Sequence, residues 1–519
     1  MRYGGVALFL TVLVIAAVII INMITATLAF KFDKETQSIT PRYDWMFLDM
    51  NSHYVYDISE SCNEYISEFV IPEIDKANGE SEKNQKITII FCDDKANITA
   101  EPSLKYIHDS VYQLYDTFEG YIAVDYLDIW ENPSVSRAYN VTATTDIVCA
   151  FGDRHETMNV ADFYIYSSAD STTASAYNGE KIIASCMMRV TQSETPMCYL
   201  TANHGENFGD YEFLRAVVEA GYTLGFIDLS ADEIPEDCDL LITFAPKQDL
   251  VVSGEISSVS EVDKLNEYMN NGGKYMVFMS ADSFASGSRE NFEGFLAEWG
   301  VKYMHESGND GVESCYLIKD KMNSTSIDGY TIISENYNSG LGGEVMAGLG
   351  SKNIFGNSTC MEFSEGFEYD GNGNYVKLVD GRERIASPLM VSHESAEAWA
   401  GGRAVARAAG QPFVLMSITA QACENGEQAC LVAVASTDFA GQEAMSSAVL
   451  NNSRTVTALF RYMGRHNAPT ELVFKPFGST DIESLSTYTA NTITIVMAAI
   501  PAVIITAVGL VVLIRRKHS

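Results

Sequence analysis

In the stretch "LTANHGENFGDYEFL", Leu200–Leu214, His204, Gly205 and Glu206 put an imidazole and a carboxylate either side of a glycine. An imidazole near neutrality can take and return a proton, and a neighbouring carboxylate can orient the ring, so the pair has the composition of a general-base site. A hydrolase also needs a nucleophile. The signal for one, G-x-S-x-G or a cysteine in that frame at a strand–helix elbow, is absent. The segment Lys274–Met279 runs into "SADSFASGS", where Ser280 does not stand between glycines. No catalytic residue is assigned, and His204, Gly205, Glu206, Lys247 and Asp438 are the ligand-binding candidates. An enzyme reading would draw on His204, Glu206 and Asp438 at the C-terminal edge of the second sheet, where ligands bind in open α/β folds.

Other chemistries find less support. In "DGNGNYVKLVDG", Asp370–Gly381, the residues Asp370, Asn372 and Asn374 fit the first, third and fifth positions of a calcium loop. Tyr375 and Gly381 then occupy the sixth and twelfth positions, which demand Gly and Glu, so a β-hairpin turning at Asn-Gly is the better reading. No phosphate-binding loop occurs, and "GLGGEVMAGLGSK" does not open a helix behind a clear strand. Ten cysteines include no C-x-x-C pair, so no metal site and no cofactor is expected. Cys423 and Cys430 flank a turn. A four-residue loop Asn425–Gln428 sets them opposite each other at bridgeable separation, whereas a two-residue turn at Asn425-Gly426 sets Cys423 opposite Gln428.

The elements that must position these residues follow from periodicity. Behind "YDISESCNEYISEFVIPEI", a helix for which Ser59 or Ser61 can be the cap, "KITIIFC" reads as a buried strand. Leu104, Ile107, Val111, Leu114 and Phe118 then share one helix face, "YIAVDYLDI" alternates as a strand, and two apolar runs about Gly152-Asp153 make a hairpin. This β-α-β plus hairpin, over 31–190, resembles a thioredoxin-like domain without its redox cysteines. Glu180–Val190 reads as a linking helix. From 195 to 470, strands "MCYLTA", "TLGFIDL", "DLLITFA" and "KYMVFMS" alternate with helices Phe208–Ala220, Ser257–Asn271 and Asn291–Trp299, which implies a mostly parallel sheet. The pattern weakens into a β-rich insertion at about 301–430 and returns in "ACLVAVASTDFA" and the helix Arg454–Met463. Asn203 or Asp210 can cap the helix after the HGE loop.

Both ends of the chain are apolar. Val6–Phe30 carries no charge and exceeds the length needed to cross a hydrocarbon core of about 30 Å at about 1.5 Å per residue. Ile493–Ile514 is a second such run, stopping at "RRKHS". The positive-inside rule puts residues 1–5 and 515–519 in the cytoplasm, with 471–492 as a juxtamembrane linker and the bulk outside the plasma membrane. The net charge of −35 repels phosphate backbones and excludes nucleic acid as the natural partner.

The chain resembles the GldG-type auxiliary subunits of ABC transporters, named from bacterial gliding motility. The resemblance rests on "YDISESCNEYI", "YIAVDYLDIWENPSVSRAYNV", "YNGEKIIASCMMRVT", "CYLTANHGENFGDYEFLRAVVEAGYTLGFIDLSADEIPEDCDLLITFAPKQDL", "LNEYMNNGGKYMVFM", "NFEGFLAEWGV", "SPLMVSHESAEAW" and "VAVASTDFA", in that order between two terminal spans. It implies a second domain like class I glutamine amidotransferases without their catalytic cysteine and histidine. It also implies an ABC permease and a cytoplasmic ATPase as partners, and supplies no catalytic residues. Relatives often read "TGHGE" where this chain has "ANHGE", so Asn203 replaces a glycine. A polymer or peptide sensor without a transporter is the alternative, and a hydrolase using the 204–206 loop is the second.

Overall fold

The computed structural model describes residues 30–32, 39–41, 57–80, 84–166, 173–193, 195–253, 260–285, 289–307, 313–405, 411–447 and 449–477. The expected spans 6–30 and 493–514 lie outside them, apart from Phe30, which begins a strand (Phe30–Phe32) paired antiparallel with Ile39–Pro41. Among the described residues no helix is long and apolar enough to cross a membrane.

Ser59 is the first cap. Its hydroxyl accepts the Cys62 N–H at 3.2 Å and starts helix α1, made of Glu60–Tyr65, a π turn Ile66–Val70 and Ile71–Gly79. Strand β1 (Ile87–Phe91), helix α2 (Pro102–Thr117) and strand β2 (Ile122–Tyr126) form the β-α-β unit, with β1 and β2 parallel. The hairpin β3 (Ile147–Phe151) and β4 (Arg154–Met158) adds to the other side of β1, giving the order β2-β1-β3-β4. Leu104, Ile107, Val111 and Leu114 of α2 are buried against this sheet, as their spacing requires.

Helix α3 (Gly179–Thr191) is not the linker read from the sequence. Twelve of its residues are buried, and its apolar side chains belong to the core of the first sheet. Its charged residues are tolerated there because each has a partner. Lys181 pairs with Glu219 at 2.8 Å, both side chains being almost fully enclosed, and Arg189 pairs with Glu156 of β4 at 2.6 Å. Glu180 accepts the Ser59 N–H at 2.8 Å and the Ser59 hydroxyl, and pairs with Lys475, whose ammonium also donates to the Asp57 carbonyl. Residues at the two ends of the compact unit, which runs from 56 to 475, therefore meet on one carboxylate.

The second sheet begins with β5 (Met197–Thr201), α4 (Tyr211–Glu219), β6 (Thr223–Ile227), β7 (Cys238–Phe244), α5 (Glu261–Asn270), β8 (Lys274–Phe278) and α6 (Glu290–Glu298). It continues with β9 (Thr331–Asn336), β10 (Asn353–Gly356), β11 (Arg382–Ser392), β12 (Val414–Ala422) and β13 (Gln428–Val434), followed by α7 (Asn452–Tyr462). Its order is β6-β5-β7-β8-β13-β12-β11-β9-β10. The first five are parallel, in the doubly wound order 2-1-3-4-5, so the chain reverses direction across the sheet between β5 and β7. Leu240 and Ile242 face α4 and α7, whereas Leu241 faces α5 and α6, so helices cover both faces.

The β-rich stretch expected at about 301–430 supplies β12, β11, β9 and β10, which extend the parallel half antiparallel in one continuous sheet, together with small separate pairings such as His305–Ser307 with Glu313–Cys315. One expectation is corrected here. Cys423 and Cys430 are both free thiols. The β12–β13 turn takes neither register considered above. Ala422 faces Gln428, Cys423 N–H donates to the Glu427 carbonyl at 2.8 Å, and Cys430 stands opposite Ala420. The two thiols then point to opposite faces of the sheet, Cys430 into the core beside α7 and Cys423 into the one beside α5. At Asp370–Tyr375 the hairpin is present, and the Asp370 carboxylate is occupied by the Asn372 and Asn374 backbone N–H groups.

Candidate functional site

The HGE loop leaves the carboxyl end of β5, beside the point where the strand order reverses. Asn203 enters it with φ +83°, a left-handed conformation open to glycine and tolerated by asparagine. Its amide donates to Asp228 at 3.1 Å, which helps hold the asparagine in this conformation. Gly205 (φ +78°) approaches the next loop so closely that a Cβ there would lie 3.2 Å from Lys247 Cβ. Three backbone bonds close the gap between the loops after β5 and β7. Lys247 and Gln248 N–H both donate to the His204 carbonyl (2.8 and 2.9 Å), and Asn207 N–H donates to the Phe244 carbonyl at 3.0 Å.

His204 sits between two carboxylates. Its Nε2 is 3.1 Å from Glu261 Oε2 and its Nδ1 is 3.5 Å from Glu206 Oε1, the three side chains being 7 %, 0 % and 2 % exposed. Burial disfavours a charged imidazole, but the hydrogen bonds to Glu206 and Glu261 outweigh it and push His204 up to about 10. Burial likewise opposes ionisation of Glu206, and the bonds from His204 and from backbone N–H groups hold its carboxyl below the usual range. Glu206 Oε2 also accepts the His204 backbone N–H at 2.6 Å. Glu261, at the start of α5 where the helix dipole favours an anion, accepts the Val251 N–H at 2.6 Å while its own N–H donates to the Val251 carbonyl. With both nitrogens protonated and turned to carboxylates, the imidazolium has no lone pair with which to accept a proton.

The space left beside this group is about 10 Å³, enough for roughly one water. Thr201, Thr243 and Tyr275 line it, joined by hydroxyl contacts of 2.8 and 2.7 Å.

His204, Gly205, Glu206 and the Lys247 backbone are thus brought together, and Asp438 belongs to a separate group. Its carboxylate accepts from Asn357 at 3.1 Å. Burial raises its pKa, and the nearby Asp210, Glu443 and Asp282 raise it further, against the opposing bond from Asn357. Asp210 does stand at the N-cap of α4, but its carboxylate turns away to accept the Gln442 N–H at 2.7 Å. Among the described residues no group of three or more His, Cys, Asp or Glu side chains could hold a metal ion. The residue that sequence reasoning missed is Glu261, the one fully enclosed carboxylate on His204. Its signal was "SVSEVDKL", in which Ser260 caps α5 through the Asp263 N–H and leaves Glu261 in the first turn.

A far roomier basin, about 1070 Å³, lies at the opposite edge of the sheet, lined by residues that precede or begin the five parallel strands: Pro196, Tyr222, Asp239, Lys274 and Glu427.

No family model and no curated protein matches the chain. Solved structures that resemble it do so distantly. The mmIFT52 N-terminal domain has 11% identity and a TM-score of 0.34 over 51% of this chain and 96% of that one. PurLQS from Thermotoga maritima has 13% identity and a TM-score of 0.25 over 52% and 100%. A cytoplasmic protein from Salmonella typhimurium has 9% identity and a TM-score of 0.28 over 54% and 99%.

Proposed function

We propose that the protein is a non-catalytic, membrane-anchored extracytoplasmic auxiliary subunit of an ABC transporter, of the GldG type. The observation that carries the non-catalytic part is the His204 group. At the sheet edge where doubly wound folds bind ligands and place reacting groups, His204 is a doubly paired imidazolium beside a water-sized cavity. A general base needs a free nitrogen and room for a substrate. The mixed α/β fold with parallel order 2-1-3-4-5 and no elbow nucleophile is what an amidotransferase-like scaffold stripped of its catalytic pair would have. The β-α-β unit and hairpin in the order β2-β1-β3-β4 support a thioredoxin-like first region. The two uncharged terminal runs support anchoring, and the resemblance described above supports the transporter assignment.

Affinity purification of the full-length chain from its native cell after mild detergent extraction tests this. A permease with several spans and a nucleotide-binding ATPase should be retained in fixed ratio. Recovery of a partner-free monomer, under extraction that keeps another ABC complex of the same cell intact, would reject the assignment.

A further inference from the structure

The basin at the amino edge of the parallel strands has no counterpart in the reading above, and its charge arrangement is specific. Three cations line it, each already held by the protein. Lys264 donates to the Leu229 and Asp232 carbonyls (2.9 and 2.8 Å), Lys274 to those of Gly272 and Gln428, and Arg465 to that of Ala220 at 3.0 Å. Of the acids, Glu233 pairs with Lys264 at 3.3 Å and Asp239 accepts the Met197 N–H at 3.0 Å, whereas Glu236, Glu267 and Glu427 are exposed on its wall and their carboxylates make no hydrogen bond or ion pair among the described residues.

The backbone adds to the same sign. Tyr222, Asn271 and Met463, which follow the C-terminal ends of α4, α5 and α7, all line the basin. The C-terminus of a helix carries partial negative charge on its last carbonyls and favours a cation nearby. A metal ion is a poor occupant, because no three acidic, histidine or cysteine side chains converge among the described residues. Carboxylates spread around a concavity of about 1070 Å³, at the upper end of small-molecule pockets, suit a ligand whose positive charges are equally spread.

We propose that this basin binds an extended organic cation bearing two or more ammonium groups, held by Glu236, Glu267 and Glu427. The proposal does not depend on the transporter assignment. The same chemistry is carried by a free polyamine and by lysine side chains of a peptide, and the test separates them.

Isothermal titration of the full-length chain with spermidine and with trilysine, at low ionic strength, should show saturable binding of at least one. Whichever binds tighter identifies the source. Glu267→Gln and Glu427→Gln should each weaken it about fivefold, the expected loss for one exposed ion pair, and binding should fall as salt is added. Glu443→Gln, at the opposite edge of the sheet, should leave affinity unchanged. Absence of binding by both probes overturns the proposal, as does binding that survives the double substitution Glu267→Gln/Glu427→Gln or is weakened equally by Glu443→Gln.

Discussion

Replacing His204 by alanine removes a cation from between two carboxylates that are 2 % and 0 % exposed. Deleting one member of a buried ion pair costs about 3–5 kcal/mol, because the remaining charge stays enclosed without compensation. The lower end applies here. Glu206 Oε2 keeps the backbone N–H of residue 204 and Glu261 Oε2 keeps that of Val251, each at 2.6 Å. With an unfolding entropy of about 2.1 cal/mol/K per residue, the roughly 420 residues of the compact unit turn about 3 kcal/mol into a Tm decrease of about 3–4 °C. The effect also has a pH signature. The folded-state pKa of His204, about 10, lies above its ordinary 6.5, so the stabilisation is complete below pH 6.5 and is lost as pH rises toward 10. Scanning calorimetry of wild type and His204→Ala at pH 6, 8 and 10 should show a Tm gap that narrows with pH. A gap below about 1 °C at pH 6, less than a third of the calculated value, refutes the paired imidazolium. A gap that stays constant to pH 10 refutes its charge.

Three further outcomes follow from the packing. Asn203→Gly should leave Tm nearly unchanged, whereas Asn203→Ala should lower stability by about 1–2 kcal/mol in a denaturant titration, since alanine is strained at φ +83°. Alkylation after unfolding without reductant should label Cys423 and Cys430 as two separate thiols, and mass spectrometry should find no peptide pair joined between them. Glu180→Ala should raise amide exchange at Asp57–Cys62 and around Lys475 while leaving exchange in β5, β7 and β8 as in the wild type, because only the carboxylate joining those two segments is lost.

The parallel half of the second sheet was legible because each strand is a short apolar run and each helix shows a clean apolar face. The helix Leu214–Val218 stripe and "DLLITF" both appear where periodicity puts them. The antiparallel half was illegible for physical reasons. The central strand β11 carries Pro388 at an irregular register, and the stretch that precedes it from Val301 is broken into strands of two to six residues, too short to give a clear periodic signal. Helix α3 reads as a linker because the partners of its Glu180, Lys181 and Arg189, at 475, 219 and 156, are distant in sequence. The site showed the same limit. His204 and Glu206 are neighbours in sequence, whereas Glu261 reaches His204 only through the packing of α5 beside β7 and β8. Local chemistry therefore nominated the histidine as a ligand-binding candidate, and tertiary contacts place it between two carboxylates.

The meeting of Asp57, Ser59 and Lys475 on Glu180 has a mechanical consequence. A pull applied through the two flanking segments enters and leaves the body at adjacent points. The load is then shared between this short polar contact and the pairing of Lys475–Pro476 with the strand Ala174–Tyr177.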